Sequence, residues 1–321
     1  MQVFEGLGAV PSGFGPSAVT IGKFDGVHPG HRAVINELKS VAAAASQYPG
    51  GLVATVVTFD RNPLSLLAPE KCPVSLVSNA QKIELLEAAG VDATLVLTFD
   101  QALASQAPEE FVESVLVGAL QARVVFVGAD FRFGVRGSGT VELLDRLGKR
   151  YDFEVRHIPE VAAGGSESRR ASSTWIRELL DAGDVATAAA QLGRLHSIRS
   201  TVVHGEQRGR ALGYPTANLS PDVEGFIPRD GVYAVWATVP AGRFGAAVSV
   251  GNNPTFEGVP QKQVEAHLLD QSFDLYGQPI ELEFVEYIRP MNKFESADAL
   301  AAQMRADEQR IREILAVPAR G

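Results

Sequence analysis

A single cysteine, Cys72, stands among 321 residues, so a disulfide framework and a thiolate metal site are both excluded, and a reducing, cytoplasmic compartment is expected. No apolar run approaches the roughly 20 residues that a membrane-spanning helix needs. The opening residues, Met1-Gln2-Val3-Phe4-Glu5-Gly6, lack a basic stretch followed by an apolar core, so no secretory signal is expected. Positive charge is in deficit: 29 Lys and Arg face 38 Asp and Glu, a net charge of −9. That balance argues against a nonspecific nucleic-acid surface, and no helix-turn-helix-like or basic segment supports one. It leaves room for local basic pockets. Low-complexity linkers and internal repeats are absent as well. What remains is globular in character, 45% hydrophobic and 21% charged, and long enough for two domains.

The most informative stretch is Gly22-Lys23-Phe24-Asp25-Gly26-Val27-His28-Pro29-Gly30-His31. Ala18-Val19-Thr20-Ile21 before it reads as a buried strand. Val34, Ile35, Leu38, Val41, Ala42 and Ala45 after it recur at helical spacing. The stretch is therefore a strand-to-helix turn. Its glycines, Gly22, Gly26 and Gly30, permit positive φ and close backbone approach, and a helix N-terminus suits a phosphate. His28 and His31, three apart at the helix entry, share a face and can add donors to that phosphate. No His/Cys cluster nearby completes a metal site around them. The turn is neither G-x-x-x-x-G-K-[ST] nor G-x-G-x-x-G. It resembles the His-x-Gly-His signature of the adenylyl- and cytidylyltransferase superfamily.

The first half continues as strand and helix by turns. Leu52 to Phe59, Ala93 to Phe99 and Val124 to Gly128 read as buried strands, Ser78 and Gln81 as a capping box, and Pro108 as a first-turn proline. This alternation calls for a doubly wound parallel sheet with ligands at the carboxyl ends of its strands. Three further stretches fall at such places. Phe59-Asp60-Arg61-Asn62-Pro63 follows one strand, where Asn-Pro alone would make a turn. Gly128 to Gly134, with Asp130, Phe131 and Arg132, follows another as a pocket wall or a plain loop. In Arg169 to Arg177, one of Ser172, Ser173 and Thr174 caps a helix, while Arg170 and Arg177 bring two guanidinium groups to its N-terminus.

Near residues 183–195 the pattern turns to β, and the domains are drawn at 1–185 and 186–321. Ser200 to Val203, Gly231 to Val239, Phe244 to Val250, Val264 to Leu269 and the alternation around Ile280, Leu282 and Phe284 suggest a small barrel, followed by an amphipathic helix that docks on it. Between the first two strands, Gly205, Arg208, Gly209 and Arg210 form a glycine-rich loop able to fold over phosphates. Thr216 and Asn218, two apart in extended chain, point the same way and offer hard oxygens to a cation that keeps its other positions for water and ATP phosphates. Glu265 lies opposite the apolar face of Val264, Ala266 and Leu268. It is either a solvated carboxylate or one placed to take a proton from an attacking hydroxyl.

Taken together, these motifs closely resemble the prokaryotic bifunctional riboflavin kinase/FAD synthetase family over roughly residues 15–315. Leu212-Gly213-Tyr214-Pro215-Thr216-Ala217-Asn218 looks like its kinase signature. Val264-Glu265, Asp274-Leu275-Tyr276-Gly277 and Arg289 with Lys293-Phe294 match the later kinase motifs in order. The resemblance implies a Rossmann-like nucleotidyltransferase domain followed by a riboflavin kinase barrel with a C-terminal helix. It implies ATP as co-substrate, Mg²⁺ as cofactor, riboflavin and FMN as substrates, and FMN and FAD as products. Glu265 would be the kinase base, Thr216 and Asn218 the Mg²⁺ ligands, and Gly205, Arg208, Gly209, Arg210 and Gly213 would line the ATP site, with Arg289 on the riboflavin. In the first module Gly22, Phe24, Asp25, Gly26, His28, His31, Arg170, Ser173, Thr174 and Arg177 would hold ATP, and Asn62, Asp130, Phe131 and Arg132 the FMN. One departure stands out: the family's Phe-Asp-Pro-His-Pro is here Phe59-Asp60-Arg61-Asn62-Pro63, so a neutral amide replaces a histidine. That makes a riboflavin kinase with an impaired adenylyltransferase module one alternative; a flavin-binding sensor, its barrel kept for binding alone, and a different adenylyltransferase acting on another phosphate ester are the others. Neither a nucleic-acid nor a membrane partner is expected, and self-association cannot be read from the sequence.

Overall fold

The computed structural model describes residues 1–158, 171–205, 214–251 and 262–317. The chain divides into two compact units, Met1–Ala171 and Ser172–Gly321.

The first unit is built on a six-stranded parallel sheet of β1 (Gln2–Glu5), β2 (Ser17–Ile21), β3 (Val53–Phe59), β4 (Ala93–Leu97), β5 (Ala122–Gly128) and β6 (Glu154–Ile158), in the order β1-β4-β3-β2-β5-β6. Every residue of β2 and of β4 is buried. Such near-continuous apolar strands are required where helices cover both faces. On one face Val19, Val57, Leu95 and Val125 pack with Val115, Leu116 and Leu144. On the other, Ala18, Ala54 and Phe126 pack with Leu38 and Ala42 of the helix Pro29–Ala44. The expected capping box is present, Ser78 Oγ accepting from the Gln81 N–H and Gln81 from the Ser78 N–H, at the start of the helix Asn79–Ala88. Pro108 opens its helix as expected. The chain moves from β2 outward through β3 and β4, then returns to place β5 on β2's other side. The sheet therefore reverses direction between β2 and β5, which opens a crevice at their carboxyl ends.

The second unit is a closed antiparallel barrel of β7 (His196–Val203), β8 (Ala217–Leu219), β9 (Gly231–Val239), β10 (Gly242–Gly251), β11 (Gln263–Leu268) and β12 (Pro279–Arg289), in the order β10-β11-β8-β7-β12-β9. Two helices, Ser173–Ala182 and Val185–Leu192, precede it, each ending on a left-handed glycine, Gly183 and Gly193. Alternation along β12 buries Ile280, Leu282 and Phe284 as expected. The last helix, Ala297–Leu315, lays Ile311 and Leu315 against Ala234 and Leu269.

Candidate active sites

The turn after β2 lies at the reversal of the first sheet. Phe24, Gly26 and Val27 all have positive φ, at 49°, 82° and 39°. For Phe24 and Val27 this conformation costs roughly 1–3 kcal/mol each. Both side chains are almost fully buried with Ile35, Val56 and Leu86, a burial worth about 1.5–3 kcal/mol per side chain, so packing offsets the strain. The turn is thus rigid before any ligand arrives. His28 is the N-cap and Pro29 begins the helix. The rings of His28 and His31 stack 3.8 Å apart, and Phe24 lies 5.0 Å from His31. A Cβ on Gly30 would sit 3.1 Å from the His28 ring, so this glycine makes room for the stack. Burial holds the His31 pKa well below its ordinary value, with neighbouring His28 adding to the effect. His31 is therefore uncharged at neutral pH until an anion approaches. Asp25 faces another way, its carboxylate accepting from the Leu76 N–H at 2.8 Å.

Beside the turn, at the end of β3, is an open cleft of about 370 Å³ lined by Lys23, Asp25, Asp60, Arg61, Asn62 and Lys82, among others. Asn62 Oδ1 accepts from the Leu64 N–H at 3.1 Å. Asp60 accepts from the Phe99 N–H at 2.8 Å and pairs with Arg61 at 3.1 Å. Lys82 is the residue that sequence reasoning missed. It is 7% exposed, and its ammonium donates to the Phe59 carbonyl at 2.7 Å. Burial lowers its pKa, while Asp25 and Asp60 pull the other way. Its spacing was the available signal: Lys82 and Leu86 are one turn apart on the buried face of Asn79–Ala88. After β5, on the other side of the turn, Phe131 stacks on Phe133 at 5.5 Å, Arg132 donates to the Phe131 carbonyl at 3.0 Å, and Asp130 is exposed. The sheet order thus gathers Gly22 to His31, Asn62 and Asp130 to Arg132 at one edge.

Ser172 is the N-cap of Ser173–Ala182, accepting from the Trp175 N–H at 3.2 Å, which puts Ser173 and Thr174 in the first turn and Arg177 on the next. That helix belongs to the second compact unit. Arg170, and in the second unit Arg208, Gly209, Arg210 and Gly213, lie outside the described residues.

In the barrel, β8 and β11 pair so that Asn218 stands directly opposite Glu265. Opposed residues share a face with Cβ atoms about 4.5–5.5 Å apart. Val264, Ala266 and Leu268 are buried on the opposite face, and Glu265 itself is half-buried. Register therefore brings the candidate base beside a candidate cation ligand, and Thr216 immediately precedes β8. Gly205 backs onto the Asn218 amide so closely that no Cβ would fit between them. Around this site His204 stacks on Tyr276 at 3.7 Å, and His267 Nδ1 donates to the Pro215 carbonyl at 2.9 Å. Arg289 is engaged elsewhere: its Nε and Nη2 grip Asp307 at 3.0 and 2.7 Å, and Nη1 donates to the Pro290 carbonyl. This pair, largely withdrawn from solvent, ties β12 to the last helix.

A phosphate cradle at a sheet reversal and a carboxylate beside hard oxygen donors on a barrel define a two-domain transferase acting on phosphorylated compounds. Residues 12–174 match the family model described as FAD synthetase, and residues 192–315 match that described as riboflavin kinase. The chain belongs to the bifunctional riboflavin kinase/FMN adenylyltransferase family. The member from Escherichia coli K12 is 36% identical over 296 residues, 92% of this chain and 91% of its own. That from Haemophilus influenzae is 35% identical over 308 residues, 96% of this chain and 97% of its own. A crystal structure from Streptococcus pneumoniae, described as a macrolide-efflux protein, is 31% identical with a TM-score of 0.82, covering 97% of this chain and 99% of that one. Among the described residues no helix is long and apolar enough to cross a membrane.

Proposed function

We propose that this chain makes both flavin cofactors in sequence: riboflavin and ATP give FMN and ADP in residues 186–321, and FMN and a second ATP give FAD and pyrophosphate in residues 1–185. The observation that carries the kinase half is the pairing of Asn218 with Glu265 across β8 and β11. Glu265 takes the proton from the 5′-hydroxyl of riboflavin as its oxygen attacks the γ-phosphorus of ATP. Thr216 and Asn218 fit Mg²⁺, because they offer neutral hard oxygens beside a carboxylate. Among the described residues no cluster of three His, Cys, Asp or Glu forms a closed cage, which suits an ion that keeps phosphate and water ligands. When bound, Mg²⁺ neutralises charge on the phosphates. Gly205, Arg208, Gly209, Arg210 and Gly213 are assigned to ATP, and Arg289 to riboflavin, its guanidinium held by Asp307.

In the first half the nucleophile is the FMN phosphate. It is already mostly dianionic near pH 7, so no strong base is needed. The protein's work is to align it with the α-phosphorus and to neutralise charge. Gly22, Phe24, Asp25 and Gly26 shape the cradle, and His28 and His31 donate to the triphosphate, His31 gaining a proton as the anion arrives. Arg170, Ser173, Thr174 and Arg177 are assigned as further ATP-binding residues. Asn62, Asp130, Phe131 and Arg132 flank the FMN. We place the protein in the cytoplasm, in keeping with its single cysteine. Purified protein incubated with ATP, Mg²⁺ and either riboflavin or FMN tests the whole scheme. Chromatography should resolve FMN and FAD from riboflavin, and FAD from FMN. FMN from riboflavin with no FAD from either substrate would leave a kinase with an impaired first module, and no turnover at all would leave a flavin-binding protein.

A further inference from the structure

The cleft at the end of β3 holds three cations, Lys23, Arg61 and Lys82, against two carboxylates, Asp25 and Asp60. Their commitments differ. Lys82 is buried and fixed to the Phe59 carbonyl. Asp25 is fixed to the Leu76 N–H and Asp60 to the Phe99 N–H. Burial alone would raise the Asp60 pKa, but the Phe99 N–H and Arg61 outweigh it and hold the carboxyl below its usual range. Arg61 is the adaptable member: its side chain is 56% exposed, and its recorded partner is its own sequence neighbour, Asp60. The guanidinium itself lies more than half in water, where screening weakens its hold on Asp60, so it can turn to a dianion that offers more charge. Asn62 beside it spends its carbonyl oxygen on Leu64 N–H and brings no charge.

We propose that Arg61 binds the phosphate monoester of the FMN acceptor in adenylyl transfer, supplying from the neighbouring position the positive charge that Asn62 lacks. This rests on the adenylyltransferase function proposed above. A guanidinium offers two parallel N–H donors to phosphate oxygens, and the dianion gains more from it than Asp60 loses. The cleft lies beside the histidine turn, so a phosphate held there is adjacent to the triphosphate that the turn receives.

The test compares wild type, Arg61→Gln and Arg61→Gln/Asn62→His in full-length protein, with FMN and ATP varied separately. Arg61→Gln should raise KM for FMN at least tenfold, with KM for ATP and riboflavin phosphorylation changed less than twofold. The added histidine should restore most of the loss at pH 6 and little at pH 8, because only the imidazolium replaces the charge. Unchanged KM for FMN, an effect confined to KM for ATP, or a rescue indifferent to pH would overturn the proposal. A wild type that forms FMN but no FAD would remove the adenylyltransferase function itself, and this inference with it.

Discussion

In the first unit the two candidate histidines come from one unbroken stretch, Gly22 to His31, held in a strained turn by the burial of Phe24 and Val27. In the second they come from separate strands, and Asn218 meets Glu265 because β8 pairs with β11 in one register. A turn fixes its groups through local φ and ψ, whereas a register fixes them through the whole barrel. A one-residue slip of β11 would send Glu265 inward and expose Val264 and Ala266, so the apolar core itself specifies the site. The geometry of the histidine turn is therefore set locally, whereas that of the Asn218–Glu265 pair is set by strand pairing.

The largest effects should separate the two sites completely. Glu265→Gln is expected to slow riboflavin phosphorylation roughly 100- to 10,000-fold, the range for losing a general base, while FAD formation from supplied FMN continues. His31→Ala should do the reverse, slowing FAD formation roughly 100- to 1,000-fold, the range for losing a donor to developing charge. Chromatographic assays of both half-reactions on both variants check this. If His31→Ala also slowed the kinase step, the two units would not be catalytically independent.

Smaller effects should come from two glycines that make room for a neighbour. Gly205→Ala drives a methyl group into the Asn218 amide, whereas Gly30→Ala only crowds the His28 ring at 3.1 Å. Displacing a catalytic group by a fraction of an ångström costs roughly tenfold or more. Gly205→Ala should therefore reduce riboflavin phosphorylation by at least about tenfold, and Gly30→Ala should reduce FAD formation by less. Equal effects would mean that the Asn218 side chain moves aside freely and does not hold the cation.

The same contrast explains what the sequence disclosed. The histidine turn, the capping box at Ser78 and the buried strands are local patterns, and each is present. The alternation along β12 and around Glu265 likewise marked the correct faces. The edge strands β1 and β6 carried no signal: β1 buries only Phe4, and β6 buries no residue fully. For Lys82 only its spacing to Leu86 hinted at burial, and its carbonyl partner at Phe59 lies on another element. The Arg289–Asp307 pair joins residues on different elements whose approach no spacing announces. The opposition of Asn218 and Glu265 was equally hidden, because pairing partners within a barrel are set by its closure.

The smallest expected effect again contrasts the two units, now in stability. His196 begins β7 and is 2% exposed, its Nε2 donating to the Phe226 carbonyl at 2.6 Å. Burial lowers its pKa to about 4, although the bond to Phe226 pulls upward. The native protein therefore keeps His196 neutral, while the unfolded chain binds a proton below about pH 6.5. Nothing is lost above that value. Between about pH 6.5 and 4 the unfolded state is favoured progressively, by on the order of 1 kcal/mol at pH 5.5. His31 shifts in the same direction in the first unit, so total stability cannot tell them apart. The two tryptophans can, since Trp175 and Trp236 both lie in the second unit. Denaturation followed by tryptophan fluorescence should lose stability between pH 7.5 and 5.5. His196→Phe should be less stable at pH 7.5, because the Phe226 carbonyl loses its donor, and should show a flatter slope toward pH 5.5. An unchanged slope would place the acid sensitivity of the barrel elsewhere.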